Sequence, residues 1–155
     1  MKIKTGCIGF HVAFKVPNND TERMEKFLET HESFMRETHH IDGNIEPVIL
    51  SYSVMKSPEY NNPLDPNSGE TGFTLYGLTE IYNGPDGAQM HMKLGQEREA
   101  MFTELINLTG EYCVSGTIVL LIPPQNIKGW NLLLSLLTHP IDFSIVKLFI
   151  YKLVI

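Results

Sequence analysis

The clearest hydrophobic pattern in the chain lies between Phe73 and Tyr82. Phe73, Leu75, Gly77, Thr79 and Ile81 fall on one parity, and Thr74, Tyr76, Leu78, Glu80 and Tyr82 on the other. Alternation rich in aromatic and β-branched residues predicts a strand. Asn83-Gly84-Pro85-Asp86-Gly87 breaks it, and Ala88, His91 and Met92 then keep a helical spacing, so the stretch reads strand, tight turn, helix start. Residues 7–16 alternate in the same way. Ile8, Phe10, Val12, Phe14 and Val16 share one face, and Gly9, His11, Ala13 and Lys15 the other. Pro17, with no N–H to give to a ladder, ends this first strand. Residues 48–54 predict a second strand, and residues 112–122 a fourth that Pro123-Pro124 stops.

Two segments carry the helical period instead. Met24, Phe27, Leu28, His31, Phe34 or Met35, and Thr38 recur at helical intervals, with Glu25, Glu29, Glu32 and Arg36 opposite. They predict one amphipathic helix of about five turns, ending near His39-His40. Asn19 or Asp20 can cap it, and Asn19 with Glu22 has capping-box spacing. Gly95 interrupts the later pattern, and residues 96–109 predict a second helix that turns Met101, Phe102, Leu105, Ile106 and Leu108 inward, with Gly110 as its C′ residue. Residues 57–71, rich in proline and asparagine, read as a loop that is either a lid or a mobile connector. The order strand, helix, strand, strand, helix, strand predicts an α+β fold: a ferredoxin-like βαββαβ sandwich with both helices on one face of an antiparallel sheet. The other sheet face then needs a cover.

Composition narrows the class. A chain of 155 residues fits one domain with a real core. The net charge of −6 leaves no basic surplus to neutralise phosphates, so no nucleic-acid partner is expected. Cys7 and Cys113 form no framework and no zinc-type spacing, which predicts buried thiols in a reducing, cytoplasmic setting. The first residues lack the continuous apolar run and cleavage site of a signal peptide. No Gly-x-Gly-x-x-Gly follows a strand, and neither a Walker pattern nor a nucleophile elbow occurs.

Glu80, Tyr82, Ala88 and His91 make the pattern Glu-x-Tyr-x-x-x-x-Ala-x-x-His. This resembles the signature of the antibiotic-biosynthesis monooxygenase domain family. The resemblance runs to about Pro124, dividing the chain into a barrel domain over residues 1–124 and an extension over 125–155. It implies that two sheets pair face to face in a homodimer, a dimeric α/β barrel. Aromatic residues on both parities of the first and third strands agree with a sheet buried on both sides. The resemblance also implies oxidation of a small phenolic or quinol-type substrate by molecular oxygen, without metal, flavin or other cofactor. The alternatives are a non-catalytic dimeric barrel that binds a small apolar ligand, and a non-oxidative enzyme of isomerase type on the same fold. Haem-degrading relatives carry an asparagine in the first strand and a tryptophan on the third. Here the first strand has no asparagine and the only tryptophan is Trp130, so haem chemistry is not expected.

The extension is far more apolar than the rest, yet neither of its apolar runs reaches the roughly 20 residues of a bilayer span. Three readings compete: an added helix and strand docked on the sheet or partner, an interfacial membrane contact, or an addition that never packs.

The candidate catalytic residues are His91, Tyr82 and His11. By the resemblance His91 sits beside a cleft between helices and sheet, where a neutral imidazole is a base or a donor; the plainer alternative is that it only fixes the turn. Tyr82 would bond the substrate while Glu80 orients a histidine, or Glu80 pairs across strands or across the dimer. His11 joins His91 if the less apolar face of its strand meets the helices. Glu80, Tyr76, Tyr52, Phe27 and Met101 are the candidate substrate contacts, with Met24, Met35, Met90 and Phe102 as further apolar lining. His31, on the apolar side of its helix, reads as a core histidine, and His39-His40 as charges offsetting the helix dipole. No two histidines stand at i, i+4 on one helix, so no metal site is expected.

Overall fold

The computed structural model describes residues 3–120. Four strands and three helices follow in the order β1 (Ile8–Pro17), α1 (Thr21–Thr38), β2 (Ile49–Asn62), β3 (Asp65–Tyr82), α2 (Pro85–Glu97), α3 (Glu99–Tyr112) and β4 (Cys113–Leu120). The strands form one antiparallel sheet in the order β2-β3-β1-β4, compatible with a ferredoxin-like α+β fold. All three helices cover one face of it. The extension from 125 onward lies outside the described residues. Among the described residues no helix is long and apolar enough to cross a membrane.

Register decides which residues reach the layer between sheet and helices. Phe10 and Tyr52 both oppose Glu80, Ile8 and Ile49 oppose Tyr82, and Phe14 opposes Tyr76. Because side chains alternate across a sheet, this one parity of β1 and β3 faces the helices. Phe14, Val16, Met24, Phe27, Leu28, Tyr76 and Leu108 make one buried cluster; Phe34, Met35, Ile49, Tyr82 and Ala88 make a second. Met101 packs against both. On the other face Met55, Leu75 and Val119 remain exposed.

The segment 57–71 is a correction. Instead of a loop it continues β2 and β3 as a hairpin arm, with Tyr60 opposite Glu70 and Asn62 opposite Asp65. Side chains rather than apolar burial hold its tip. Asn61 Nδ2 donates to the carbonyls of Ser68 and Gly69 at 3.0 Å, and the N–H of Asn67 donates to Asp65 Oδ1 at 2.9 Å. Gly69 and Gly72 supply the positive φ values of 84° and 89° that the irregular pairing requires. Glu59 ties the arm to β1 by accepting from Lys15 Nζ at 2.8 Å. A polar, proline-containing sequence looks like loop because strand patterning reports burial, and this arm has little.

The helix boundaries also differ. Gly95 lies inside α2, and the break falls at Arg98, whose φ of −94° and ψ of 65° leave the helical region. The N–H of Arg98 donates to the Gly95 carbonyl at 3.1 Å, and its own carbonyl already accepts from Phe102. α3 runs on to Tyr112, so Gly110 is internal rather than a C′ residue. The capping box at α1 does not form. Asp20 is the N-cap residue without a side-chain bond to the helix, because its carboxylate accepts from the Tyr112 hydroxyl. Of the two cysteines Cys7 is buried as expected, whereas Cys113 is only partly so.

Candidate functional site

Glu80 is the centre of the site. It projects from β3 into the helix-facing layer and is only 2% exposed. Burial of a carboxylate without compensation is costly, and three side chains surround this one. The Tyr82 hydroxyl, two residues along the same face, donates to Glu80 Oε2 at 2.5 Å. His31 Nε2 of α1 lies 3.4 Å from Oε1, and His91 Nε2 of α2 lies 3.4 Å from Oε2. Burial raises the Glu80 pKa, against the opposing pull of His31 and the Tyr82 bond.

Local sequence brings α2 into place. Gly84 caps it and Pro85 starts it, while the N–H of Asn83 donates to the Val48 carbonyl at 3.1 Å and fixes the turn to β2. At Gly87 the helix comes close to its neighbours: a Cβ there would stand 2.6 Å from Glu46 Oε2, the movable end of a side chain, and 3.6 Å from Tyr82 Cβ. The close approach sets His91 over β3. Its ring lies 5.3 Å from Tyr82, 5.6 Å from Phe34 and 5.9 Å from Phe10, centroid to centroid.

Hydrogen-bond direction settles the tautomers. The Thr38 hydroxyl donates to the Phe34 carbonyl at 2.7 Å, so it accepts from His39 Nδ1–H at 2.8 Å. With neutral rings, His39 Nε2 is then an acceptor and accepts a hydrogen bond from His91 Nδ1–H at 3.0 Å. His91 Nε2 is left with a lone pair facing Glu80. Burial holds His91 and His31 down at a pKa of about 4. Burial, followed by the neighbouring His91, holds His39 at about 3. His39 is therefore neutral and does not offset the α1 dipole, contrary to the sequence expectation.

His31 completes the group and is buried, as expected of a core histidine. Its Nδ1 is 3.2 Å from the Tyr52 hydroxyl, and the two rings stack at 5.7 Å. Burial, and then Glu80, raises the Tyr52 pKa. Burial, and then Glu80, likewise pushes the Tyr82 hydroxyl far above its ordinary value. Both phenols therefore stay protonated.

The other expected residues divide. Tyr82, Glu80, His91 and Tyr52 meet at this centre. His11 does not: it opposes Thr79 on the outer sheet face and bonds its hydroxyl at 2.9 Å. The pairing of His11 with His91 fails because the phenylalanine parity of β1 meets the helices. Tyr76 belongs to the first apolar cluster and donates to Glu25 Oε1 at 2.9 Å. Phe27 lies mainly in that cluster too, with its ring 5.8 Å from His31. Met101 bridges the clusters. A shallow cleft of about 430 Å³ runs along α1 past Glu22, Glu25 and Glu29, and shares no residue with the buried centre.

No metal site is expected from the spacing of the sequence, yet tertiary packing brings three donor residues together. One donor atom from each of His31, Glu80 and His91 lies within 4.8 Å of the others, and all three residues are buried. They come from three different elements, which is why no spacing in the sequence announces them. His31 and Glu80 do carry a weaker signal, as titratable residues set into otherwise apolar faces. No protein-family model, curated protein or solved structure matches the chain.

Proposed function

We propose that the chain is a small enzyme of the monooxygenase type, oxidising a phenolic or quinol-type molecule with molecular oxygen. The observation that carries this reading is the unprotonated Nε2 of His91, held toward Glu80 by the Thr38–His39 relay. A buried imidazole of low basicity becomes a useful base when a carboxylate 3.4 Å away stabilises the imidazolium that forms. A phenol or an activated ring CH₂ gives its proton to His91 Nε2, and the resulting anion reduces oxygen. For a hydroquinone the balance is C₆H₆O₂ plus O₂ giving hydroxyquinone C₆H₄O₃ plus water, and for a ring CH₂ it is CH₂ plus O₂ giving C=O plus water, all four electrons coming from the substrate in each case. Phe10, Phe34 and Met101 supply an apolar wall against water. Half-buried His39 is the surface end of the proton path.

A homodimer belongs to this reading, with a second copy covering Met55, Leu75 and Val119 on the outer sheet face. One observation favours the non-catalytic alternative: His31, Glu80 and His91 are 3%, 2% and 8% exposed, so a ligand must displace side chains to reach them. Oxygen uptake with a panel of hydroquinones and polyphenols separates the two, on a preparation whose sedimentation also reports the dimer. We expect His91→Ala to lower uptake at least tenfold, which is about 1.4 kcal/mol of transition-state stabilisation. Uptake unchanged by the substitution, or absent across the panel, would overturn the catalytic reading.

A further inference from the structure

We propose that His31, Glu80 and His91 bind a single divalent first-row transition ion, zinc or ferrous iron, through His31 Nε2, His91 Nε2 and the Glu80 carboxylate. Two imidazoles and one carboxylate are a donor set both ions accept, leaving a position for water or substrate. The ion site stands on the donor atoms and competes with the oxidative reading for one lone pair, because an ion bound at His91 Nε2 takes the place of the base.

The geometry fits an ion better than it fits hydrogen bonds. The two histidine–carboxylate separations of 3.4 Å exceed the ordinary N–H···O range. They run to different oxygens, Oε1 for His31 and Oε2 for His91, and one donor atom from each of the three residues lies within 4.8 Å of the others. The direction of the relay leaves a lone pair, not a proton, on His91 Nε2 facing a carboxylate oxygen. Two electron-rich atoms aimed at one another inside a protein call for a proton or a cation between them.

The outer contacts are those that a metal site uses. Liganding histidines engage a partner through the second ring nitrogen, which fixes tautomer and orientation. His91 Nδ1 does so through His39, and His31 Nδ1 through Tyr52. Tyr82 holds the carboxylate. His91 has 10% of its side chain exposed, against 4% for His31 and 3% for Glu80, so the path inward for an ion is from the His91 side. An ion here replaces the cofactor-free expectation carried by the family resemblance.

The test is calorimetric titration of the chelator-stripped full chain with Zn²⁺ and, without oxygen, Fe²⁺, with Co²⁺ as a spectroscopic probe. One ion per chain is expected, with a tetrahedral Co²⁺ spectrum if zinc is the native class and a six-coordinate one if iron is. Glu80→Gln and His31→Gln should each weaken binding by more than the roughly 10–100-fold that loss of an outer contact costs, and Tyr52→Phe by about that amount. His11→Ala, on the far sheet face, should change nothing. Circular dichroism identifies any variant that fails to fold, in which case Tyr52→Phe decides. Absence of binding, or binding equal in wild type and the folded variants, overturns the site. Oxygen uptake is read on the chelator-stripped chain, where His91 Nε2 is free to act as the base, so either proposal can fail alone.

Discussion

The layer between helices and sheet has two halves with opposite chemistry. One half, around Phe14, Met24, Phe27 and Leu108, is closed by apolar packing, and the Tyr76 hydroxyl reaches out of it to Glu25 near the surface. The other half shares α1 and β3, adds β2 and α2, and is comparably buried, yet it holds Glu80, His31 and His91. The first is what hydrophobic burial alone builds. The second accepts the cost of burying titratable groups, which stability by itself does not reward. That contrast is the strongest physical argument that the Glu80 half has a task besides folding.

Substitutions on each side sharpen the contrast. Phe14→Ala removes a fully buried ring and should cost about 3–5 kcal/mol of stability, read from denaturant unfolding. A much smaller loss would mean that the apolar half is loosely packed and the comparison is misdrawn.

Acid should act on the other half. In the unfolded chain a histidine takes its proton near pH 6.5, whereas folded His31 and His91 do so only at about 4. Their contribution is therefore fully present above about pH 6.5 and is lost as pH falls toward 4, at most about 3 kcal/mol for each. Glu80 runs the other way: its raised pKa gives a contribution present at low pH and lost as pH rises. Two histidines outweigh one carboxyl, so the metal-free protein should have a lower urea midpoint at pH 5 than at pH 7. A flat profile would mean that the centre already carries a proton or an ion.

Glu80→Gln is the smallest effect and the most diagnostic. If Glu80 is kept for function, the amide should leave thermal stability unchanged or raise it by about 1 kcal/mol. A loss of several kcal/mol would instead make Glu80 a structural keystone and erase the difference between the halves.

Much of the fold is legible in the chain because strand and helix periods are local. The parities of β1 and β3, the apolar stripe of α1, and the turn at Asn83–Asp86 all follow from neighbouring residues. The hairpin arm at 57–71 escaped that logic, since its pairing is held by asparagine, aspartate and serine side chains rather than by burial. The break at Arg98 escaped it too, because Gly95 looked the better stop and the backbone passed through it.

For the site, the sequence by itself determined that Glu80 and Tyr82 share a face and that His91 follows in the next helix. It could not say which parity of β1 meets the helices, and that choice sent His11 to the outside. Only the tertiary structure brought His31 from α1 onto Glu80 and set His39 behind His91. Local patterning acts over a few residues, whereas donors from α1, β3 and α2 meet only when the helices pack on the sheet in one register.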